Sequence, residues 1–83
     1  MTSDDGDFLL YHTAGCHLCE LAEAVIAPIA ARAGWRTSLV DIAGDDELEE
    51  RYGVRIPVFR RVSDGREIGW PFDAEAVLAA FKP

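Results

Sequence analysis

The amino-acid sequence predicts a small α/β protein with one four-stranded mixed sheet and helices on both of its faces. Two observations predict this fold class. Short apolar runs of strand length alternate with segments whose apolar residues recur at helical spacing, in the order β-α-β-α-β-β-α. The chain has 83 residues, 49% of them hydrophobic and 28% charged, which suits a single globular core. We therefore expect one domain over residues 7–83, preceded by a flexible lead over residues 1–6.

The first half of the chain predicts a parallel βαβ unit. Residues 8–12 (FLLYH) form a short apolar run that is typical of a strand buried on both faces. Apolar residues then recur every three or four positions from Leu18 to Ala33, so we expect an amphipathic helix that ends at Gly34. The alternating, partly β-branched stretch 35–42 predicts a second strand. A strand reached through a helical crossover should pair in parallel with the first one, with a right-handed connection.

The second half predicts a hairpin and a closing helix. Asp45 or Asp46 is suited to begin a short helix, because Asp accepts hydrogen bonds from the free amides of a first turn. Asp73 is suited to the same position in the last helix, whose apolar side should carry Val77, Leu78 and Phe81. The remaining predicted elements are a helix ending at Tyr52, strands over 56–62 and 67–70, and a turn over 63–66.

Charge and composition exclude several classes of partner. The formal net charge is −7 and the eight basic residues are scattered, which disfavours phosphate backbones and hence nucleic acids. No stretch approaches the roughly 20 apolar residues of a membrane span, and residues 1–7 are acidic where a targeting signal is positive. We therefore expect a cytoplasmic monomer with neither nucleic-acid nor membrane partners. Thiols stay reduced in that compartment, so a close cysteine pair indicates catalysis or metal binding.

The most informative feature is the pair Cys16 and Cys19, two residues apart at the junction between the first strand and the first helix. Free backbone amides and the positive end of the dipole at a helix N-terminus stabilise a thiolate. Cys16 is therefore the candidate nucleophile, and Cys19 is the candidate resolving thiol one turn later. His17 would stabilise the thiolate further by donating to the Cys16 sulfur, or else it points to solvent. We interpret His12 as a polar residue at a strand end.

The second informative feature is the Ile56-Pro57 bond at the start of the third strand. About one X-Pro bond in twenty is cis, and such bonds usually mark a tight turn. A cis-proline turn that faces the cysteines would leave the Ile56 backbone free to pair with an extended substrate. The alternative is an ordinary proline at the edge of a strand.

LLYHTAGCHLCE at 9–20 and YGVRIPVF at 52–59 resemble the glutaredoxins of the thioredoxin superfamily, especially the short bacterial glutaredoxin-like proteins. The resemblance covers residues 7–82. It implies a thioredoxin fold in which Pro57 is cis and lies beside Cys16. It also implies a thiol-disulfide oxidoreductase that acts on protein disulfides or glutathione mixed disulfides, with no bound cofactor and with glutathione open as a co-substrate.

The resemblance is only partial where glutaredoxins bind glutathione. No Lys precedes Cys16, so Arg55 is the substitute that could take a glutathione carboxylate. Asp73 could bind the glutathione amine, whereas Trp70 stands where it could block the tripeptide. The expected substrate-binding residues are Arg55, Ile56, Pro57 and Asp73.

The sequence also allows two other functions. A metal or iron-sulfur carrier would use the two cysteines together with His12 and His17, but these four candidates crowd into eight residues without a second CxxC. We therefore predict no metal site. The other alternative is a binding module of the same fold whose cysteines take no part in chemistry.

Overall fold

The computed structural model describes residues 7–81, and the predicted lead over residues 1–6 lies outside them. The order of elements matches the prediction. The elements are β1 (Phe8–His12), α1 (His17–Ala33), β2 (Thr37–Asp41), α2 (Asp46–Tyr52), β3 (Val58–Arg61), β4 (Glu67–Gly69) and α3 (Ala74–Ala80).

The strands form one mixed sheet in the order β2-β1-β3-β4. β1 is parallel to β2 and antiparallel to β3, and β3 is antiparallel to β4. The central position of β1 explains why its first four residues are apolar on both faces, since both faces of a central strand are covered. This arrangement confirms the predicted α/β class and the minimal thioredoxin fold.

Helices cover both faces of the sheet. Successive strand residues point to opposite faces, so Leu10 and Phe59 belong to one side while Tyr11 and Val58 belong to the other. On the first side they pack against buried residues of α1 and α3, with Phe8 stacked on Phe59. On the second side they pack against α2, where the rings of Tyr11 and Tyr52 are 4.2 Å apart.

Each helix begins at a residue whose side chain accepts a hydrogen bond from the first turn. Asp45, rather than Asp46, caps α2 by accepting from the Leu48 amide at 3.0 Å. Asp73 caps α3 by accepting from the Ala76 amide at 2.8 Å. Such caps satisfy amides that have no partner within the helix.

The buried side of α1 differs slightly from the prediction. The buried positions are Cys19, Ala22, Ile26, Ile29 and Ala30. Leu18 was expected among them but is 47% exposed, because it lies one residue, or about 100°, away from this line. Leu78 of α3 is 51% exposed for the same reason, since its neighbour Val77 occupies the buried position.

Three strands are shorter than predicted, and β4 ends at Gly69 rather than at residue 70. The Trp35 amide donates to the Ala30 carbonyl at 2.9 Å, so this residue caps the C-terminal end of α1 and β2 begins at Thr37. The Ile56 amide likewise donates to the Tyr52 carbonyl, so β3 begins at Val58.

Candidate active site

The turn between β1 and α1 places Cys16 at the start of the helix. Gly15 has a φ of +76°, a left-handed conformation that glycine adopts without steric cost. Cys16 is the N-cap residue of α1, with extended backbone angles, and its Sγ accepts a hydrogen bond from the Cys19 amide at 3.1 Å. A sulfur in this position faces the free amides of a 17-residue helix. The predicted setting of the nucleophile is therefore present.

Cys16 and Cys19 are joined by a disulfide, with their Cα atoms 5.2 Å apart. The two residues differ in exposure, since Cys16 is half-buried whereas Cys19 is 4% exposed. An incoming sulfur can therefore approach Cys16, while Cys19 lies against the core on the buried side of α1. The two cysteines therefore differ in how far each one is exposed.

His17 is exposed at the first position of α1. Its side chain makes no hydrogen bond to any of residues 7–81, and the donor to Cys16 Sγ is the Cys19 amide instead. In the disulfide form, then, the His17 side chain points to solvent and does not donate to the Cys16 sulfur.

The Ile56-Pro57 bond is cis. Tyr11 pairs with Val58 across β1 and β3, so continuing this register by one residue places Pro57 opposite His12. The Pro57 carbonyl also accepts from the Trp70 amide at 3.1 Å. Pro57 thus lies at the edge of the sheet from which β1 enters the cysteine turn.

The backbone of Ile56 differs from the expectation that it is free. Its amide donates to the Tyr52 carbonyl at 3.0 Å, and the Arg55 amide donates to the same oxygen at 2.8 Å. The chain leaves α2 in a tight turn, and this turn uses the Ile56 N–H. Within residues 7–81 the Ile56 carbonyl accepts no backbone hydrogen bond, so only half of the predicted pairing surface is open.

Arg55 is held by two neighbours on the α2 side of the sheet. Its Nη2 lies 3.3 Å from Glu67 Oε1, and its guanidinium carbon lies 5.4 Å from the centre of the Tyr52 ring. The Tyr52 hydroxyl donates to Glu67 Oε2, which also lies 3.5 Å from Arg60 Nη1. We call Tyr52, Arg55, Arg60 and Glu67 the Glu67 cluster.

The Glu67 cluster was not predicted from the sequence. One signal for it does exist, because the tight turn over 63–66 sets Arg60 opposite Glu67 in the hairpin. Burial raises the pKa of the Tyr52 hydroxyl, and its hydrogen bond to Glu67 raises that pKa further. The bond to Tyr52 in turn raises the pKa of Arg60. Tyr52 is therefore neutral at physiological pH and Arg60 is charged.

The segment after β4 borders the same edge of the sheet. The Trp70-Pro71 bond is a second cis bond, which no local pattern had indicated. Trp70 is half-buried and meets Phe72 edge to face, with ring centres 5.0 Å apart. Asp73 is exposed and one of its oxygens is used by the cap of α3.

Two further findings concern residues 7–81 as a whole. Nowhere in this part of the chain do three His, Cys, Asp or Glu side chains come close enough to hold a metal ion. None of its helices is both long and apolar enough to cross a membrane.

Comparisons with known proteins agree with this geometry. The model of the Glutaredoxin-like domain (DUF836) family matches residues 7–82. The X-ray structure of protein XcR50 from X. campestris is 46% identical, with 87% of this chain and 91% of that one covered and a TM-score of 0.70. Its solution structure gives 44% identity, 88% coverage of both chains and a TM-score of 0.74.

A more distant structure shares the fold. Protein Ne2328 from Nitrosomonas europaea is 23% identical, with 99% of this chain and 98% of that one covered and a TM-score of 0.78. No curated protein matches the sequence.

Proposed function

The chain belongs to the family of the Glutaredoxin-like domain (DUF836), and from that premise we propose that it is a thiol-disulfide oxidoreductase acting through Cys16 and Cys19. The observation that carries the proposal is the asymmetry of the pair. Cys16 is half-buried at the N-terminus of α1, and Cys19 is buried one turn later within disulfide-bonding distance. A reactive thiol must be reachable and stabilised as a thiolate, whereas a resolving thiol must stay unreacted until the mixed disulfide has formed.

The cycle begins with reduction of the protein. The Cys16-Cys19 disulfide accepts two electrons and two protons from a thiol reductant, which is itself oxidised to a disulfide. The Cys16 thiolate then attacks one sulfur of the substrate disulfide. A bond forms between Cys16 and that sulfur, the substrate S–S bond breaks, and the other substrate sulfur leaves as a thiolate that takes a proton from water.

Resolution returns the protein to the form seen in the structure. Cys19 loses its proton to water and attacks Cys16 Sγ, which breaks the bond between Cys16 and the substrate. The second substrate sulfur leaves as a thiolate and is protonated. The substrate disulfide has gained two electrons and become two thiols, and the Cys16-Cys19 bond has formed again.

The first turn of α1 favours this course. The Cys19 amide already donates to Cys16 Sγ at 3.1 Å, and a bond to an ionised acceptor is stronger than one to a neutral acceptor. The positive end of the α1 dipole adds to the stabilisation of a thiolate. The same groups thus keep Cys16 ionised before it attacks the substrate.

We propose protein disulfides or glutathione mixed disulfides as substrates. The proposed substrate contacts are the cis-proline Pro57, the open carbonyl of Ile56, Arg55 and Asp73. The proposed protein needs no resident cofactor, since its own sulfurs carry the electrons, and glutathione is the candidate co-substrate. We place the reaction in a cytoplasmic monomer, because that compartment supplies reduced thiols.

Serine variants of the two cysteines test the proposal. Reduction of insulin disulfides by dithiothreitol is measured with the wild type, Cys16→Ser and Cys19→Ser. Serine at position 16 keeps an acceptor for the helix cap, so loss of activity in that variant reports chemistry rather than unfolding. We expect Cys16→Ser to be inactive and Cys19→Ser to accumulate a mixed disulfide between Cys16 and the substrate.

The contrary result is also clear. If Cys16→Ser reduces insulin at the wild-type rate, the sulfur of Cys16 is not the nucleophile and the proposed function is wrong. A mixed disulfide in which Cys19 is the trapped residue would reverse the two roles.

A further inference from the structure

We propose that Glu67 is a specificity-determining residue that makes the site prefer disulfides of uncharged, apolar protein segments over glutathione mixed disulfides. It would do so by holding Arg55 away from an incoming carboxylate. This inference rests on the proposed function and chooses between its two substrate classes.

Arg55 is the cation that an anionic substrate would need. Three stretches contain the two cysteines, Pro57 and the residue that bonds to its carbonyl, namely 12–20, 53–58 and 69–73, and Arg55 is the only Lys or Arg in them. It lies two residues before Pro57, which is opposite the end of β1 at the edge that leads to Cys16. Glutathione carries two carboxylates, so its recognition here would depend on this side chain.

Arg55 is already engaged. Its Nη2 is 3.3 Å from Glu67 Oε1 and its guanidinium faces the Tyr52 ring. The pair is at the surface, with the Arg55 side chain 49% exposed and that of Glu67 23% exposed. A substrate carboxylate would have to displace Glu67 and the ring contact before it could bind the guanidinium.

Glu67 is in turn fixed by the rest of its cluster. The fully buried Tyr52 donates its hydroxyl to Glu67 Oε2, and Arg60 approaches the same oxygen at 3.5 Å. Three partners on three segments therefore hold the carboxylate. It cannot turn away from Arg55 without leaving hydrogen-bonding groups unpaired at a partly buried position.

The surroundings of Cys16 suit an apolar substrate. Leu18 lies inside the cysteine motif and is 47% exposed, and Val54, next to Arg55, is fully exposed. A bound apolar segment would bury these side chains, which is favourable. The net charge of −7 opposes a substrate with two carboxylates.

The test compares two mixed disulfides of the same peptide. A single-cysteine peptide is prepared as a mixed disulfide with glutathione or with 2-mercaptoethanol, which is uncharged, and dithiothreitol is the reductant for both. The measured quantity is the ratio of kcat/KM for the glutathione mixed disulfide to kcat/KM for the 2-mercaptoethanol mixed disulfide. The variants are Glu67→Gln, Glu67→Gln with Arg55→Gln, and Asp64→Asn.

We expect Glu67→Gln to raise this ratio by roughly two- to fivefold, the range that one surface charge pair corresponds to. The double variant should return to the wild-type ratio, because the released cation is gone. Asp64→Asn also removes one negative charge and breaks a surface pair, but its partner Arg61 lies on the opposite face of the sheet, beside the Phe81 ring, so this variant should leave the ratio unchanged. Salt at 0.5 M should shrink the Glu67→Gln effect.

If Glu67→Gln does not fold, Glu67→Asp replaces it, since its shorter side chain withdraws the carboxylate from Arg55 and should raise the ratio by less. An unchanged or lower ratio in the folded variant overturns the inference, as does an increase that persists in the double variant. Wild-type protein that reduces neither peptide contradicts the proposed function itself, whereas turnover of the neutral peptide with an unmoved ratio contradicts only the role of Glu67.

Discussion

Removing the acceptor at the N-cap of α1 should destabilise the protein even when no cysteine chemistry is involved. The comparison is Cys16→Ser against Cys16→Ala, both in a Cys19→Ser background so that no thiol or disulfide remains. Serine can accept the amide of residue 19 as Cys16 Sγ does at 3.1 Å, whereas alanine cannot. The difference between the two variants therefore isolates the cap.

The magnitude follows from the geometry. Both variants lack the disulfide, and both carry a buried serine hydroxyl at position 19. These two effects on stability therefore cancel when the variants are compared. Residue 16 has extended backbone angles, so the helix propensity of alanine does not offset the loss. An N-cap Ser-to-Ala change costs about 0.5–2 kcal/mol, and about 1 kcal/mol lowers the Tm of a domain of this size by roughly 4–8 °C.

Urea unfolding followed by circular dichroism measures this difference. The alanine variant should have the lower midpoint with an unchanged slope, as expected for a change in stability alone. Equal midpoints would show that the first turn of α1 does not need an acceptor at position 16. The same amides could then not be relied on to stabilise a thiolate there.

Three further predictions concern the turn and the charged clusters. Gly15→Ala should cost about 1–2 kcal/mol, because an L side chain is strained at φ +76°, whereas Gly69→Ala, with open space and no such φ, should be nearly neutral in the same unfolding assay. The raised pKa of Tyr52 means that folding favours its protonated form, so wild-type stability should fall as the pH rises above about 10, and this fall should be smaller in Tyr52→Phe. Arg61 lowers the pKa of Asp64, so the stability from this pair should be present above about pH 4 and be lost on acidification. In Asp64→Asn the stability should therefore fall less at low pH.

The order of elements and the cysteine turn could be predicted because both are encoded locally. The apolar spacing within α1 and the apolar run of β1 depend on neighbours a few residues apart. Boundaries were less accurate where a backbone hydrogen bond decides them, as at Trp35, whose amide still caps α1. Leu18 was assigned to the core because spacing alone does not say which of two adjacent apolar residues faces the sheet.

The surroundings of the site were harder to predict because they depend on long-range contacts. Arg55 was expected to meet a substrate, but its partner Glu67 is 12 residues away and is brought near by the β3-β4 hairpin. The use of the Ile56 amide by Tyr52 depends on how the chain leaves α2. The cis bond at Trp70-Pro71 carries no sequence mark that separates it from a trans bond.

Alkylation of the reduced protein tests directly whether Cys16 is the reachable sulfur and Cys19 the sheltered one. The fully reduced wild type is treated with limiting iodoacetamide at neutral pH, and the labelled cysteine is identified by peptide mass spectrometry over time. Cys16 should be modified at least about tenfold faster, since it combines exposure with the helix N-terminus. Equal rates, or faster modification of Cys19, would contradict the assignment of Cys16 as the reachable, reactive sulfur.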